Sequence, residues 1–299
     1  MSDDNTNNRA VGTARVMTAM GFAVIALSFS SIFVTALQRA AAPPLVIAFY
    51  RMAIATAILL PASLILKRDE IRTLVRKDIG LLIIGGFCLA VHFAAWITSL
   101  RYISIATSIV LVNSHPLFVV IASYFFLGER PSKRALIGTA VGLAGMAIMS
   151  YDALINVQLA LKGDALALLG ALAVVGYFIV GRKARSRMSL LGYVTPLYAA
   201  CSLFLLALIL FKGDPLGPYS SSSWILFTAL AVVPTIVGHT VFNWALRHVR
   251  PTVISLAFLG EPVIASLLAL LFFAQRPPAT TLVGGALVLA GVYLATSKR

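Results

Sequence analysis

The chain has 299 residues, of which 60% are hydrophobic and 11% charged, and its mean hydropathy is +0.95. A soluble domain carries about 25% charged residues, so a soluble fold of this length would lack the polar surface to cover its core, and a disordered chain is excluded by the same apolar excess. The net charge of +14 would suggest nucleic acid or another anionic partner on a soluble surface, but its distribution gives a different answer.

Polar residues divide the chain into ten apolar segments: Val16–Gln38, Pro44–Leu66, Ile79–Leu100, Ser104–Leu127, Ala135–Tyr151, Asp164–Val180, Met188–Phe211, Trp224–Leu246, Pro251–Ala274 and Pro278–Thr296. The fifth and sixth are the shortest, yet each reaches the roughly 17 residues that a membrane-spanning helix needs. The runs are continuous rather than alternating, which predicts helices and not the strands of a barrel. Ala40-Ala41-Ala42 after segment one resembles a signal-peptide cleavage site, but the run before it is longer than a signal core, and the internal repeat described below needs it. Cys88 and Cys201 both lie inside apolar runs, as small buried hydrophobes do.

Lys and Arg are distributed unevenly between alternate loops. Of the 24, the set comprising the N-tail, loops 67–78, 128–134, 181–187 and 247–250, and the C-tail holds 18. The other loops hold 5 (Arg39, Arg101, Lys162, Lys212 and Arg276), and Arg51 lies within a segment. Basic residues collect on the cytoplasmic side, so both termini are placed in the cytoplasm. The positive charge is a topology signal, and no nucleic-acid partner is expected.

Shifted by 146 positions, the chain matches itself without gaps. Leu100-Arg101 falls on Leu246-Arg247, Pro116 on Pro262, and Phe126 on Phe272. Arg130-Pro131 falls on Arg276-Pro277, Leu136 and Gly138 on Leu282 and Gly284, and Leu143-Ala144-Gly145 on Leu289-Ala290-Gly291. A repeat of five helices is odd-numbered, so the second copy enters the membrane from the opposite side. Inverted repeats of this kind recur in secondary transporters, where two similar halves expose a central site alternately to each side. The expected architecture is an all-α integral membrane protein of ten transmembrane helices in two inverted five-helix repeats. Its parts are a cytoplasmic N-tail (1–15), a first repeat (16–151), an outer connecting loop (152–163), a second repeat (164–296) and a C-tail (297–299).

Several features together resemble a ten-helix member of the drug/metabolite transporter superfamily, of the EamA-repeat type. They are Arg51 early in segment two, the run from Pro116 to Gly128-Glu129, Glu261-Pro262, and the glycines of segments five and ten (Gly138, Gly142, Gly145; Gly284, Gly285, Gly291). Among members of this superfamily the chain most resembles bacterial exporters of aromatic and other amino acids. The resemblance implies a multi-pass protein of the plasma membrane (the bacterial inner membrane) that exports a small molecule. One departure is Gln275, where the family often has an acidic residue at the end of segment nine.

Ionisable side chains within the bilayer are costly, about 2.5–3.5 kcal/mol for Arg, Lys or Asp at a helix centre, so Arg51, His92, His115, His239 and Glu261 are expected to face the interior. In segment eight Thr235, His239 and Asn243 recur every four residues, a single stripe on an α-helix, flanked by Phe242 and Trp244. Pro234 on the same segment frees backbone carbonyls and bends the helix. Segment three carries His92, Trp96 and Ser99, and segment four carries Asn113, Ser114 and His115 before Pro116. Segment six offers Tyr177 and Phe178, and segment one offers Ser30, Ser31 and Phe33.

The predicted substrate-lining set is Ser30, His92, Trp96, Asn113, Tyr177, Phe178, His239, Asn243 and Trp244. The competing explanation for each is polar bonding between helices or, near helix ends, an interfacial aromatic belt. Rings, amides and imidazoles with a single carboxylate suit a zwitterionic or polar-aromatic solute. Glu261 has two readings, a proton carrier or a helix-to-helix bond beside the kink at Pro262. Arg51 is expected either to pair with Glu261, the simpler reading, or to meet a substrate carboxylate. Pro116, Pro234 and Pro262 are predicted kinks. Gly138-x-x-x-Gly142 predicts close helix packing, with segment ten or in a dimer, although a monomer suffices for the transport reading.

The sequence has no phosphate-binding loop of the GxxxxGK[ST] type and no metal-ligand or Ser/His/Asp signature. No cofactor, metal or covalent chemistry is expected. The expected partners are a small-molecule substrate and the lipid bilayer. The leading function is export of amino acids by alternating access. The alternative is another small metabolite or a lipophilic cationic drug carried by the same architecture.

Overall fold

A computed structural model describes residues 13–118, 125, 132–149, 158–245, 247–248, 257–258 and 260–296. Every regular element among them is helical. Of the residues singled out from the sequence, Phe126, Gly128, Glu129, Arg130, Pro131 and Leu246 lie outside this set.

Six helices are long and apolar enough to cross a membrane: Arg15–Arg39, Pro44–Leu66, Arg76–Ser99, Ala160–Arg185, Leu190–Lys212 and Ser221–Ala245. Shorter apolar helices occupy Ile105–Phe118, Gly260–Phe273 and Ala279–Leu294. The burial pattern inverts that of a soluble protein. Arg51, His92, Asn113 and Glu261 are buried, while Phe211, Ile65 and Leu271 are among the most exposed side chains. That is the arrangement for a molecule whose solvent is lipid. It is an all-α, multi-pass membrane protein.

The helix boundaries repeat at the spacing read from the sequence. Pro44–Leu66 and Leu190–Lys212 are 146 residues apart at both ends. Packing repeats as well. Segment six lies against three as one lies against eight, seven against three as two against eight, and six against four as one against nine. Contacts of five with ten, two with seven and four with nine map onto themselves. This is the pattern of a pseudo-two-fold axis.

Segments five and ten show the axis most closely. A Cβ on Gly145 would sit 2.6 Å from Gly284 O and 2.8 Å from Val288 N. The mate position, Gly291, would place a Cβ 2.6 Å from Gly138 O and 2.5 Å from Gly142 N. The glycines of the Gly138-x-x-x-Gly142 stretch thus let the two related helices touch backbone to backbone.

Several segments differ from their expected form. Segment one breaks at Phe29, between helices Thr13–Ser28 and Ser30–Arg39. Segment six runs as one helix from Gln158 to Arg185, so residues 158–163 are helical and continuous with it. Its charged ends mark the water interface, and charge does not stop a helix there.

Segment four is helical over Ile105–Val112 and turns at Asn113 and Ser114, before Pro116. In segment nine Phe258 is in a turn, and Pro262 falls in the first turn of the helix Gly260–Phe273. Both prolines lie in a first turn just after an interruption of their segment, where the missing N–H costs no helical bond.

In segment eight, Ala231–His239 is a π-helix containing Pro234. Proline removes the bond that its own N–H would make to Leu230 O, and the Thr235 hydroxyl donates to that carbonyl instead, at 3.0 Å.

Candidate functional site

Where the breaks in segments four and nine meet segments one, two, three, six and eight, the helices enclose a central cavity. The space in it open to the centre of a water molecule is ≈ 40 Å³. Segment one contributes Leu27 and Ser30, segment two Arg51, and segment three His92, Phe93 and Trp96. Segment four contributes Val112, Asn113 and His115, and segment six Val174 and Phe178. His239 comes from segment eight, and Phe258 and Glu261 from the start of segment nine.

Arg51 is fully buried. Its Nε donates to Thr235 Oγ1 at 2.8 Å and its Nη1 to Ser30 Oγ at 2.9 Å. The guanidinium carbon lies 4.1 Å from the centre of the Phe93 ring and 5.9 Å from that of Trp96, a cation–π arrangement that offsets part of the desolvation cost. The ion pair with Glu261 is not formed. Glu261 Oε2 instead accepts from Asn113 Nδ2 at 3.0 Å, which ties segment nine to segment four. Geometry explains the difference. The π-turn carries Thr235 to the guanidinium, and the break after Val112 leaves Asn113 beside the carboxylate.

The rings line the cavity in two groups. His92 stacks on Trp96 at 6.3 Å and an interplanar angle of 11°. Its Nδ1 lies 2.9 Å from Gly170 O, and a carbonyl only accepts, so Nδ1 carries a proton there. His239 meets Phe93 edge-on at 5.5 Å. His115 lies between Phe178 and Phe258, at 5.3 Å from each.

Of the predicted substrate-lining residues, Ser30, His92, Trp96, Asn113, Phe178 and His239 come together in this cavity, with Arg51 and Glu261. Tyr177, Asn243 and Trp244 do not line it. Tyr177 Oη donates to Asn243 Oδ1 at 2.8 Å, and the Asn243 carbonyl accepts from Arg185 Nε at 3.1 Å. Both residues belong to a bonded layer on the basic side of the cavity. Trp244 packs its ring 4.8 Å from that of His248, whose imidazole is held below its ordinary value by partial burial and by Arg247 and Arg185. The three residues of the expected stripe have different partners: Thr235 bonds Arg51, His239 lines the cavity, and Asn243, on the α-helix that follows the π-helix, bonds Tyr177.

Leu27, Phe93, Val112, His115, Val174 and Phe258 also line the cavity but were not among the predicted lining residues. A signal for two of them was present. At the repeat spacing Phe93 is the mate of His239 and His115 of Glu261, so mapping each candidate onto its mate finds both. Val112 and Phe258 are mates of each other, and neither was a candidate. Gln275, the departure from the acidic pattern, accepts from Ile105 N through Oε1 at 3.3 Å and so caps segment four. Among the described residues no group of three or more His, Cys, Asp or Glu side chains could hold a metal ion.

Known proteins are similar to this chain. A pseudopaline exporter of Pseudomonas aeruginosa is 26% identical over 265 residues, 86% of this chain and 88% of that one. A probable terminal-alkyne amino-acid exporter of Streptantibioticus cattleyicolor is 26% identical over 201 residues, 64% of each chain. An uncharacterised transporter of Archaeoglobus fulgidus is 25% identical over 290 residues, 96% of this chain and 98% of that one. One crystal structure superposes with a TM-score of 0.68 at 18% identity, covering 95% of this chain and 98% of its own, which shows a shared fold. The model of the EamA-like transporter family matches twice, over residues 16–151 and 161–297, and with a doubled five-helix unit around a buried polar cavity, the chain belongs to that family.

Proposed function

We propose that this protein exports amino acids across the plasma membrane by alternating access through the central cavity, with its two halves inverted and both termini in the cytoplasm. The observation that carries this reading is that mated positions of the two repeats, Phe93 with His239, Val112 with Phe258 and His115 with Glu261, face the same cavity. A solute held there touches both halves, so rocking one against the other exposes it to each side in turn. The lining supports the substrate class. It offers rings for a side chain, an amide and imidazoles for polar groups, and one cationic and one anionic side chain. A phosphorylated solute would need several converging cations, and a lipophilic cation would lie in the same cavity as the buried Arg51. Two similar proteins are named as a pseudopaline exporter and a probable terminal-alkyne amino-acid exporter, which supports a solute of this kind.

The test is counterflow of each of the twenty labelled amino acids in proteoliposomes. At least one is expected to exchange, and His239→Ala or Trp96→Ala should weaken that exchange while the protein stays folded. Absence of exchange for all twenty would overturn the reading.

A further inference from the structure

We infer that Arg51 Nη2 and Trp96 Nε1 form a carboxylate-binding pole and that Glu261, held by Asn113, forms an opposed ammonium-binding pole. The solute therefore lies across the cavity with a fixed polarity. This rests on the reading that the cavity is the transport site, and it names the chemistry of that site.

Arg51 has three groups that can meet a ligand or a protein partner. Nε and Nη1 are taken by Thr235 and Ser30, whereas Nη2 has no hydrogen-bond partner although it is buried. Trp96 Nε1 is likewise buried without a partner. Buried polar groups are nearly always bonded, and each exception needs an explanation. Here two orphan donors belong to neighbouring side chains that line one cavity. One of them bears a full positive charge whose nearest acceptors are neutral hydroxyls. An acceptor carrying negative charge on two oxygens meets this demand, one oxygen on Nη2 and the other on the indole N–H. With Nε and Nη1 engaged, the guanidinium offers an end-on contact in place of a two-pronged one, and this leaves room for the indole.

The opposite pole has the complementary deficit. Glu261 accepts one bond from Asn113, while a carboxylate has about four acceptor sites. A zwitterion pairs both poles. A primary amine leaves the guanidinium unpaired, and a simple carboxylate leaves Glu261 unpaired. An unpaired buried charge is what discriminates strongly between ligands.

The experiment measures binding to the full chain in nanodiscs by calorimetry. The probes are the tightest-binding of the twenty amino acids, its decarboxylated amine, and benzoate as a simple carboxylate. The amine should bind the wild type at least about 10-fold more weakly than the amino acid. Trp96→Phe keeps the ring and loses only the N–H. It should weaken the amino acid and benzoate about 3- to 10-fold and leave the amine unchanged. Arg51→Lys should weaken both carboxylates further, and Trp96→Phe decides the matter if Arg51→Lys does not fold. Equal binding of amine and amino acid, or a Trp96→Phe loss shared by the amine, overturns the pole and leaves amino-acid transport standing. Benzoate binding that is lost in Trp96→Phe, with no amino acid bound, keeps the pole and overturns the amino-acid reading. Binding of no carboxylate at all overturns both.

Discussion

At the level of single side chains, the buried polar groups are paired by neutral partners more than by opposite charges. Glu261 depends on the Asn113 amide, so Asn113→Leu should cost about 1–3 kcal/mol by stranding a buried carboxylate. Because removing both members of a buried polar pair is far less costly than removing one, Asn113→Leu combined with Glu261→Met should recover most of that loss. Thermal melting of the four members of this cycle in one detergent checks the expectation, and an additive pair of losses would mean that the bond contributes nothing. Residue types were the most legible part of the site. Charge or imidazole inside a span is costly enough to mark an inward face, and Arg51, His92, His239 and Glu261 could be selected on that ground alone. Which of them would pair was not legible, because Arg51 and Glu261 meet different neighbours from segments eight and four, and hydrophobic periodicity contains no information on such neighbours.

Among the helices, two local devices shape the cavity. The first is the wide turn of segment eight. Pro234→Ala restores an N–H for Leu230 O, frees the Thr235 hydroxyl and resets the turn, which rotates His239 away from the cavity. The expected outcome is a KM for transport raised about 10-fold, equivalent to roughly 1.4 kcal/mol, with no fall in melting temperature. An unchanged KM would show that the π-turn does not position His239. The second is the contact of segments five and ten. Gly145→Ala and Gly291→Ala each drive a methyl group into the partner backbone, and each should destabilise by about 1–3 kcal/mol without changing substrate affinity, since neither glycine lines the cavity. Gly21→Ala, where an added Cβ meets nothing within 4 Å, is the neutral control. Helix ends in segments two and seven could be read from the chain because Pro44 opens one and Ser189 caps the other. The π-turn could not, since its i→i+5 register depends on how Thr235 is shared between Leu230 O and Arg51.

Across the whole molecule, an odd number of helices per repeat and the one-sided distribution of Lys and Arg imply opposite orientations for the halves. In a chain with Cys88 and Cys201 replaced by Ala, single cysteines at Arg182 and Ser222 should react with a membrane-impermeant maleimide from opposite faces of sealed vesicles. Labelling of both from one face would contradict the proposed topology. The membrane class, the segments, the repeat spacing and the cast of polar residues were all decided by composition and periodicity, because transfer into lipid acts on each segment separately and leaves its mark along the chain. The company each polar group keeps was decided by packing. Tyr177 and Asn243 bond each other in a layer beside the cavity, while Phe93 and Phe258, unremarkable as letters, close its wall. Such contacts join residues on different helices through the pseudo-two-fold axis, and no local pattern records the distance between them.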